Sequence, residues 1–222
     1  ETEQQIAPQP IEGKFEGDLI ITPACLMDFL ETAAGNFLSD GAMIEGTSIW
    51  KDSLNRQVAS ELLTWRSMPE SPELVAADRV SGDGYAAKDM TILEKGVLKN
   101  FCLSRYGAAK TGRERSANTQ SCYVVDPGET TLAEMIASVS NGLLLNRISG
   151  GAPASNGDVS AVAKNSFLIR DGKIAGAVTE TMLSGNIAAM LKQITAISKE
   201  RISDGASILP WIKTTGVTIS GK

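Results

Sequence analysis

Three short strings place serine, lysine and asparagine side chains in a pattern that acyl-transfer chemistry uses. Ser48 and Lys51 form an SxxK string, residues 110–112 read Lys-Thr-Gly, and residues 116–118 read Ser-Ala-Asn. Penicillin-recognising serine enzymes combine these three elements. Their SxxK serine opens a long buried helix, whereas residues 44–47 favour an extended or loop conformation here. The KTG string also precedes the SxN string, in reverse of the usual order, so we interpret the pattern as coincidence.

Histidine is absent from all 222 residues. Histidine is the commonest metal ligand and the usual general base near neutral pH. Its absence excludes Ser-His-Asp and Cys-His nucleophiles, HExxH zinc sites and histidine proton shuttles within this chain. Carboxylates, lysines, hydroxyls and three cysteines remain for chemistry.

The cysteines and the glycine-rich segment do not form a recognisable site. Cys25, Cys102 and Cys122 are far apart and form no CxxC pair. We therefore expect three reduced, packed thiols and no zinc ribbon or redox motif. Residues 150–157 are rich in glycine, but no GK[ST] follows them, so a phosphate-binding loop is not indicated.

Charged residues cluster in two segments. Asp78, Asp83 and Asp89 lack the DxDxDG spacing of a calcium loop, so we expect a solvated turn there. The one basic cluster could contact phosphates or an acidic peptide, but a solvated surface explains it more simply. Its members are Arg105, Lys110, Arg113 and Arg115.

Composition predicts a soluble, cytoplasmic, sheet-rich protein. Hydrophobic residues make up 42% of the chain and 21 glycines indicate many turns. No apolar run approaches the roughly 18 residues of a membrane helix, and a net charge of -5 argues against a nucleic-acid partner. The polar start predicts a linker or N-terminal extension over residues 1–18 and a domain over 19–222. The chain does not begin with methionine, so we expect a fragment of a longer protein.

The apolar pattern predicts an α+β fold, mostly antiparallel sheet with a few short helices. Residues 19–22 favour a strand, and Pro23 favours a helix start with Thr22 as its cap. That helix would bury one apolar face (Leu26, Phe29, Leu30, Ala33) and end near Gly35. Other expected elements are a loop at 39–46, strands at 58–65, 121–125, 143–148, 208–212 and 217–219, and helices at 131–139 and 186–197.

Two hairpins are indicated by their turns. Glu94-Lys95-Gly96 joins apolar runs at 90–93 and 97–103. Asp171-Gly172 joins residues 162–169 to 174–178, and Asp-Gly supplies the positive φ angles that a two-residue turn needs. Thr131 and Glu134 have the spacing of a helix capping box.

Four strings together resemble the C-terminal domain of the TldD/PmbA family, whose members were once described as modulators of DNA gyrase. They are Gly-Thr-Ser-Ile-Trp-Lys-Asp-Ser-Leu (46–54), Ile-Leu-Glu-Lys-Gly-Val-Leu-Lys-Asn-Phe (92–101), Ser-Arg-Tyr-Gly-Ala-Ala-Lys-Thr-Gly (104–112), and Ser-Asn-Gly-Asp-Val-Ser (155–160) leading to Ser-Gly-Asn (184–186). Their order and spacing are similar to the family from about Leu19 to the end of the chain.

The resemblance implies two kinds of subunit. TldD-like subunits carry HExxxH in an upstream half and a cysteine ligand near the C-terminus, whereas PmbA-like subunits (TldE) lack the zinc site and pair with TldD to degrade or trim peptides. This chain has Ala206 and Ser207 where the ligand cysteine is expected, and a serine hydroxyl is a poor zinc ligand beside a thiolate. The resemblance therefore favours the PmbA branch, with zinc only in a TldD-like partner.

The sequence thus predicts no catalytic, metal or cofactor-binding residue in this chain. Four residues are candidates for a cleft or a partner contact, namely Ser207, Asn156, Asp158 and Asn186. The expected partners are a TldD-like subunit or a second copy in a dimer, and an unfolded peptide that adds a strand to a sheet edge. Two alternatives remain: the C-terminal half of a zinc peptidase whose HExxxH lies upstream, and a small-ligand module without chemistry.

Overall fold

The structure is a computed structural model that describes residues 3–119, 121–151 and 153–221. One mixed sheet of fourteen strands organises it. The strands are β1 (Gln9–Pro10), β2 (Lys14–Ile21), β3 (Trp65–Ser67), β4 (Met90–Glu94), β5 (Val97–Leu98), β6 (Tyr123–Val125), β7 (Asn141–Leu145), β8 (Arg147–Ser149), β9 (Asp158–Lys164), β10 (Phe167–Arg170), β11 (Lys173–Thr179), β12 (Met182–Asn186), β13 (Ile194–Ser203) and β14 (Ile208–Ser220).

Within the described part of the chain, five short α-helices accompany the sheet, together with a 3-10 turn at Glu3–Gln5 and a π-helical turn at Ala34–Leu38. The helices are α1 (Pro23–Ala33), α2 (Asp40–Ile44), α3 (Arg105–Thr111), α4 (Leu132–Ala137) and α5 (Ile187–Lys192). None of the described helices has the length and apolar character needed to cross a membrane.

The central strand is β14, which pairs with β2, β6, β12 and β13. The α+β class is confirmed, and most strand pairs are antiparallel. The sheet is nevertheless mixed, because β1–β11, β2–β7 and β6–β14 pair in parallel. We expected two strands at the C-terminal end, but β14 is continuous. A register shift between Thr214 and Val217, where Gly216 has φ +72°, interrupts its apolar alternation.

The two faces of the sheet are covered unequally. Leu19 and Ile21 of β2 pack with α1, α5 and the π turn in the main core, and the expected face of α1 is buried. Ile20 points to the other face, where α4 contributes Met135. There Trp211 is only partly buried, because α4 covers part of that face. An open groove remains beside α4.

The predicted turns are confirmed. Asp171 and Gly172 have φ angles of +47° and +74°, which is the geometry of a tight hairpin between β10 and β11. Thr131 and Glu134 form the capping box of α4. Gly96 closes the β4–β5 hairpin at φ +75°, and Ala59 O leaves no room for a Cβ there.

Several predicted boundaries were wrong for local reasons. Helix α1 ends at Ala33, near Gly35 as predicted, but the chain continues directly into the π turn instead of a loop. Residues 39–46 contain α2, because Ser39 caps its start and accepts a bond from Ala42 N. Residues 58–64 form no strand, since the Val58 and Ala59 amides bond to Gly96 O around the β4–β5 turn. The predicted helix 186–197 stops at Lys192, and two register shifts in β13 give that strand a helix-like apolar spacing.

The N-terminal boundary also lies earlier than expected. Strand β2 starts at Lys14 and pairs with β14 from Ser220 onward, so residues 14–18 belong to the sheet rather than to a linker. Ile11 is buried against the main core. Residues 1 and 2 lie outside the described residues.

Candidate functional site

The turn between β13 and β14 carries Ser207 and is closed on itself. Asp204 Oδ1 accepts hydrogen bonds from Ala206 N (2.9 Å), Ser207 N (2.7 Å) and Ser207 Oγ (3.2 Å). Burial opposes ionisation of Asp204, but these bonds outweigh it and lower the pKa of the carboxyl. Ser207 is 3% exposed. Its hydroxyl therefore stabilises a turn and is not a free nucleophile.

The residues around this turn do not fit a zinc ion by themselves. No group of three or more histidine, cysteine, aspartate or glutamate side chains with metal-binding geometry occurs among residues 3–119, 121–151 and 153–221. Oδ1 of Asp204, the one carboxylate of the turn, accepts three hydrogen bonds, from the Ala206 and Ser207 amides and the Ser207 hydroxyl. A structural or catalytic zinc site needs at least three protein ligands. No metal-dependent step can be derived from this chain alone.

The three cysteines are packed in the interior, as predicted. All three are free and buried. Burial raises the pKa of Cys25 and of Cys102 to about 12. Because the thiolate is the nucleophile and the metal ligand, these two thiols are held in their unreactive form.

A groove runs from the open sheet face to the Asp204–Ser207 turn. Its larger part is a cavity of about 720 Å³ between the start of α1, the end of β7, the start of β10 and Trp211 of β14. Its smaller part, about 280 Å³, reaches Ser207 itself. The two parts share Pro23, Ala24, Asp28 and Ile202 as wall residues. The two cavities therefore lie side by side, and together they are called the groove.

Opposite charges line the larger cavity of this groove. Asp28 of α1 and Arg147 of β8 both line the larger cavity. Burial raises the pKa of Asp28, and the positive charge of Arg147 acts in the opposite direction. The rest of the wall is apolar or carries neutral polar groups, such as Leu132, Trp211 and Asn146. The groove is therefore not dominated by one sign of charge.

The other three candidates lie together in a second, closed polar cluster. Asn186 Nδ2 donates to Asp158 Oδ1 (2.9 Å) and to Asn156 O (3.0 Å), and Asn156 Nδ2 donates to Asp158 Oδ2 (2.8 Å). Hydrogen bonds from Asn186 and then Asn156 lower the pKa of Asp158. Asn186 also caps α5 through Ala189 N. The cluster ties loop 155–158 to β12 and α5.

The structure separates Ser207 from this cluster. Ser184 pairs with Thr218 near the end of β14, whereas Ser207 lies just before its first residue. Asn186 lies two residues beyond Ser184 and so is level with about Gly216, nine residues beyond Ser207. At about 3.3 Å per strand residue, the two regions are about 30 Å apart. Asn186 borders a different cavity of about 350 Å³, beside Trp50. The four sequence candidates therefore belong to two sites.

The SxxK string has a structural role. Ser48 Oγ is buried, donates to Phe37 O (2.7 Å) and accepts from Trp50 N (3.1 Å). Lys51 Nζ instead contacts Gly46 O (3.3 Å). The two side chains form no nucleophile–base pair, which agrees with the rejection of the penicillin-enzyme pattern.

The acidic and basic segments are more ordered than predicted. Asp83 is not part of a solvated turn, because both of its oxygens accept from Arg115 at 2.8 Å and Oδ2 also accepts from Arg105 N at 2.8 Å. These bonds hold the pKa of Asp83 well below its usual range, with Arg115 the main cause. Arg115 also stacks on Tyr85 at 4.0 Å. Most of this basic cluster therefore holds neighbouring loops together through hydrogen bonds and ring contacts.

Sequence reasoning missed the residues that line the groove. Asp28, Asn146, Arg147 and Asn165 come from three separate segments, and no local spacing links them. The helix start predicted at Pro23 is the one sequence feature that could have located part of the groove wall.

Comparisons with known proteins agree on one family. Residues 14–221 match the model described as the PmbA/TldA metallopeptidase C-terminal domain. A protein of Methanothermobacter thermautotrophicus named metalloprotease is 29% identical over 208 residues, which cover 87% of this chain and 45% of that protein. The chain thus spans about half the length of the curated relatives it matches.

Solved structures show the same fold. A Bacteroides thetaiotaomicron protein that carries the older gyrase-modulator name has a TM-score of 0.88 at 24% identity, covering 99% of this chain and 50% of that one. TldE from Thermococcus kodakarensis has a TM-score of 0.85 at 23% identity, covering 99% and 53%. With the match over residues 14–221, the chain belongs to the metallopeptidase-related PmbA/TldD family and represents its C-terminal domain.

Proposed function

We propose that this chain is the C-terminal part of a PmbA/TldE-like subunit that binds no zinc and pairs with a zinc-bearing TldD-like subunit to degrade or trim peptides. The observation that carries the proposal is the closed Asp204–Ser207 turn. The Asp204 carboxylate accepts hydrogen bonds from the Ser207 hydroxyl and from two backbone amides of the turn. Residues 204–207 include no cysteine that could supply a thiolate.

The chemistry of peptide hydrolysis supports a complex in which one subunit carries the catalytic metal and the other does not. Hydrolysis at neutral pH needs an activated water or nucleophile and a stabilised oxyanion. This chain has no histidine, and its thiols at Cys25 and Cys102 are protonated at neutral pH. In this proposal the partner holds the catalytic metal, and this chain contributes dimer contacts and part of the peptide cleft.

Strand addition is a physically reasonable way to hold an unfolded peptide here. Among the described strands, β13 pairs only with β14, and one bridge from Ser198 to Thr130 touches its outer edge. Ile202 of β13 lines both parts of the groove. A peptide lying along this edge would make main-chain bonds that do not depend on its sequence.

Co-expression of the full protein with a TldD-like protein of the same organism tests the proposal. We expect the two to co-purify, and we expect cleavage of an unstructured peptide only when both are present. Zinc should be found in the partner, and a chelator should abolish cleavage. Chelator-sensitive cleavage by the full protein alone would contradict the proposal.

A second candidate is that the full protein is itself a zinc peptidase with an HExxxH helix upstream of this chain. The metalloprotease name of the Methanothermobacter relative, of which this chain covers 45%, favours it. The absence of a cysteine at residues 204–207 counts against it. Zinc content of the full protein separates the two candidates.

A further inference from the structure

The chain contains two Asn-Gly steps, Asn141-Gly142 and Asn156-Gly157. Asparagine is chemically labile, and it deamidates most readily before glycine. Glycine has no side chain to hinder its own amide nitrogen from attacking the asparagine carboxamide, and its backbone turns freely into the geometry of attack. The surrounding structure therefore decides which of the two steps can react.

The first step lies inside the sheet. Asn141 and Gly142 begin β7, and Gly142 pairs with Asp18 of β2 on one side and with Ile169 of β10 on the other. The neighbouring backbone is close, since Asp18 O would lie 2.2 Å from a Cβ at Gly142. Attack on Asn141 needs this backbone to leave the sheet, and opening an interior strand costs close to the full free energy of unfolding.

The second step lies in the turn before β9, where Asn156 is exposed. Glycine is required at position 157, because its φ is +91° and a Cβ there would lie 2.8 Å from Phe37 Cζ. Asparagine at position 156 supplies hydrogen bonds to Asp158. The fold thus needs this labile pair of residues at the surface of the protein.

In the closed cluster both reacting groups are engaged in other hydrogen bonds. The nucleophile, Gly157 N, donates to Ala154 O (2.8 Å). The Asn156 carboxamide donates to Asp158 Oδ2 (2.8 Å) and accepts from Asp158 N (3.1 Å). Asn186 Nδ2 in turn holds Asp158 Oδ1 (2.9 Å). Reaction requires the loop to open, which costs less than opening β7 because only local bonds are broken.

We propose that Asn156 is a site of spontaneous deamidation to isoaspartate, and that the hydrogen bonds from Asp158 and Asn186 set its rate. Once the loop opens, Gly157 N attacks Asn156 Cγ. The bond from Cγ to the side-chain nitrogen breaks, and this nitrogen leaves as ammonia with the proton that Gly157 N gives up. Water then opens the succinimide ring at either carbonyl, which yields isoaspartate or aspartate.

Either product weakens the cluster. The new carboxylate has no N–H to donate to Asp158 and places a second negative charge beside it. Isoaspartate also adds a main-chain carbon next to Gly157, which already packs against Phe37. The loop should therefore detach from Asn186 and from the start of α5. This modification does not depend on the proposed peptidase function.

Peptide mass spectrometry of the full protein, aged at mildly alkaline pH, tests the proposal. Digestion under acidic conditions keeps further deamidation negligible. We expect the peptide with Asn156 to gain the mass of an amide-to-acid conversion, while the peptide with Asn141 stays unchanged as an internal control. A synthetic peptide of residues 153–160 gives the unprotected rate. The folded protein should convert Asn156 at least about tenfold more slowly, since the loop must first open.

Asn186→Ser tests the role of the cluster. Serine keeps an oxygen that can cap α5 but removes the N–H donors to Asp158 Oδ1 and Asn156 O. Conversion of Asn156 should become about three- to tenfold faster, the factor that a lost hydrogen bond corresponds to, and Asn141 should stay unchanged. Gln193→Ala, an exposed carboxamide at the other end of α5, is the matched control and should age as the parent protein does.

Three outcomes would overturn the proposal. Equal rates at Asn141 and Asn156 would do so, whether both sites convert quickly or neither converts detectably. Conversion of Asn156 at the rate of the free peptide would show that the cluster gives no protection. An Asn186→Ser variant that ages no faster than the parent would show that its hydrogen bonds do not set the rate.

Discussion

The two ends of β14 present polar groups in opposite states. Near its C-terminal end, Asn156, Asp158 and Asn186 satisfy one another's hydrogen bonds. Near its N-terminal end, Asn146 and Asn165 face an open groove without a described partner. Side chains of the same chemical type are thus bonded to one another at one end of β14 and lack a described partner at the other. The role of such a side chain is set by where its hydrogen bonds go. We interpret the closed cluster as structural and the open groove as functional.

We expect the largest loss of stability from a substitution in the β10–β11 turn. This substitution also serves as a structural reference for both ends of β14. Gly172→Val should lower the free energy of unfolding by about 1–3 kcal/mol or more, because a β-branched residue is strained at positive φ. A Cβ there would also lie 2.7 Å from Ala137 O. Urea denaturation measures the loss.

Asp171→Ala is the control for this turn. Its φ is also positive, at +47°, but alanine is not β-branched and the loss should be clearly smaller. Equal losses in the two variants would show that the turn is not stabilised by the backbone geometry described here.

Substitution at the two ends of β14 should separate stability from binding. Asn186→Leu removes the α5 cap and the bonds to Asp158, so it should cost about 1–3 kcal/mol of unfolding free energy and leave peptide affinity unchanged. Asn146→Ala should change stability by less than about 0.5 kcal/mol and weaken peptide binding. Urea denaturation, and fluorescence anisotropy of a labelled unstructured peptide, provide the two readouts on the same samples. The reverse pattern would refute the division between closed cluster and open groove.

The pH dependence of stability should differ in sign between the two ends. Hydrogen bonds lower the folded pKa of Asp158 below its ordinary 3.8, so its contribution is present above pH 4 and is lost as the pH falls through the folded pKa. Burial raises the pKa of Asp28 above 3.8, so its ionised form is unfavourable at neutral pH and protonation relieves this as the pH falls.

Asp158→Asn should therefore lower the urea midpoint at pH 7, and Asp28→Asn should raise it slightly. Each difference should shrink as the pH falls through the range in which the parent carboxyl takes up its proton, which lies above 3.8 for Asp28 and below 3.8 for Asp158. Changes of the same sign at pH 7 would contradict the environments assigned to these two residues.

Sequence alone predicted what depends on short-range chemistry. The Asp171-Gly172 turn, the Thr131–Glu134 capping box and the apolar face of α1 follow from neighbouring residues, and all are present. The five-residue helix α2 was missed because it is too short to show a helical period. Residues 194–197 were assigned to a helix instead of a strand because bulges disturb the strand alternation of β13.

Only part of the candidate site could be predicted from the sequence. Asn156 and Asp158 are near neighbours, and the family strings placed Asn186 with them. Asn146 and Asn165 lie on either side of β8 and β9 and meet Asp28 only because β2 and β7 pair in parallel, which brings the start of α1 beside the end of β7. Their unpaired state is a property of the packing and has no sequence signal.

The zinc content of the full protein, purified alone without chelator and dialysed, tests the central claim most directly. The account predicts far less than one zinc per chain by elemental analysis, both for the full protein and for residues 1–222 alone, because this chain has no histidine and Ser207 stands in a closed turn with Asp204. One zinc per chain that survives dialysis would contradict the account and establish the protein as the metal-bearing subunit.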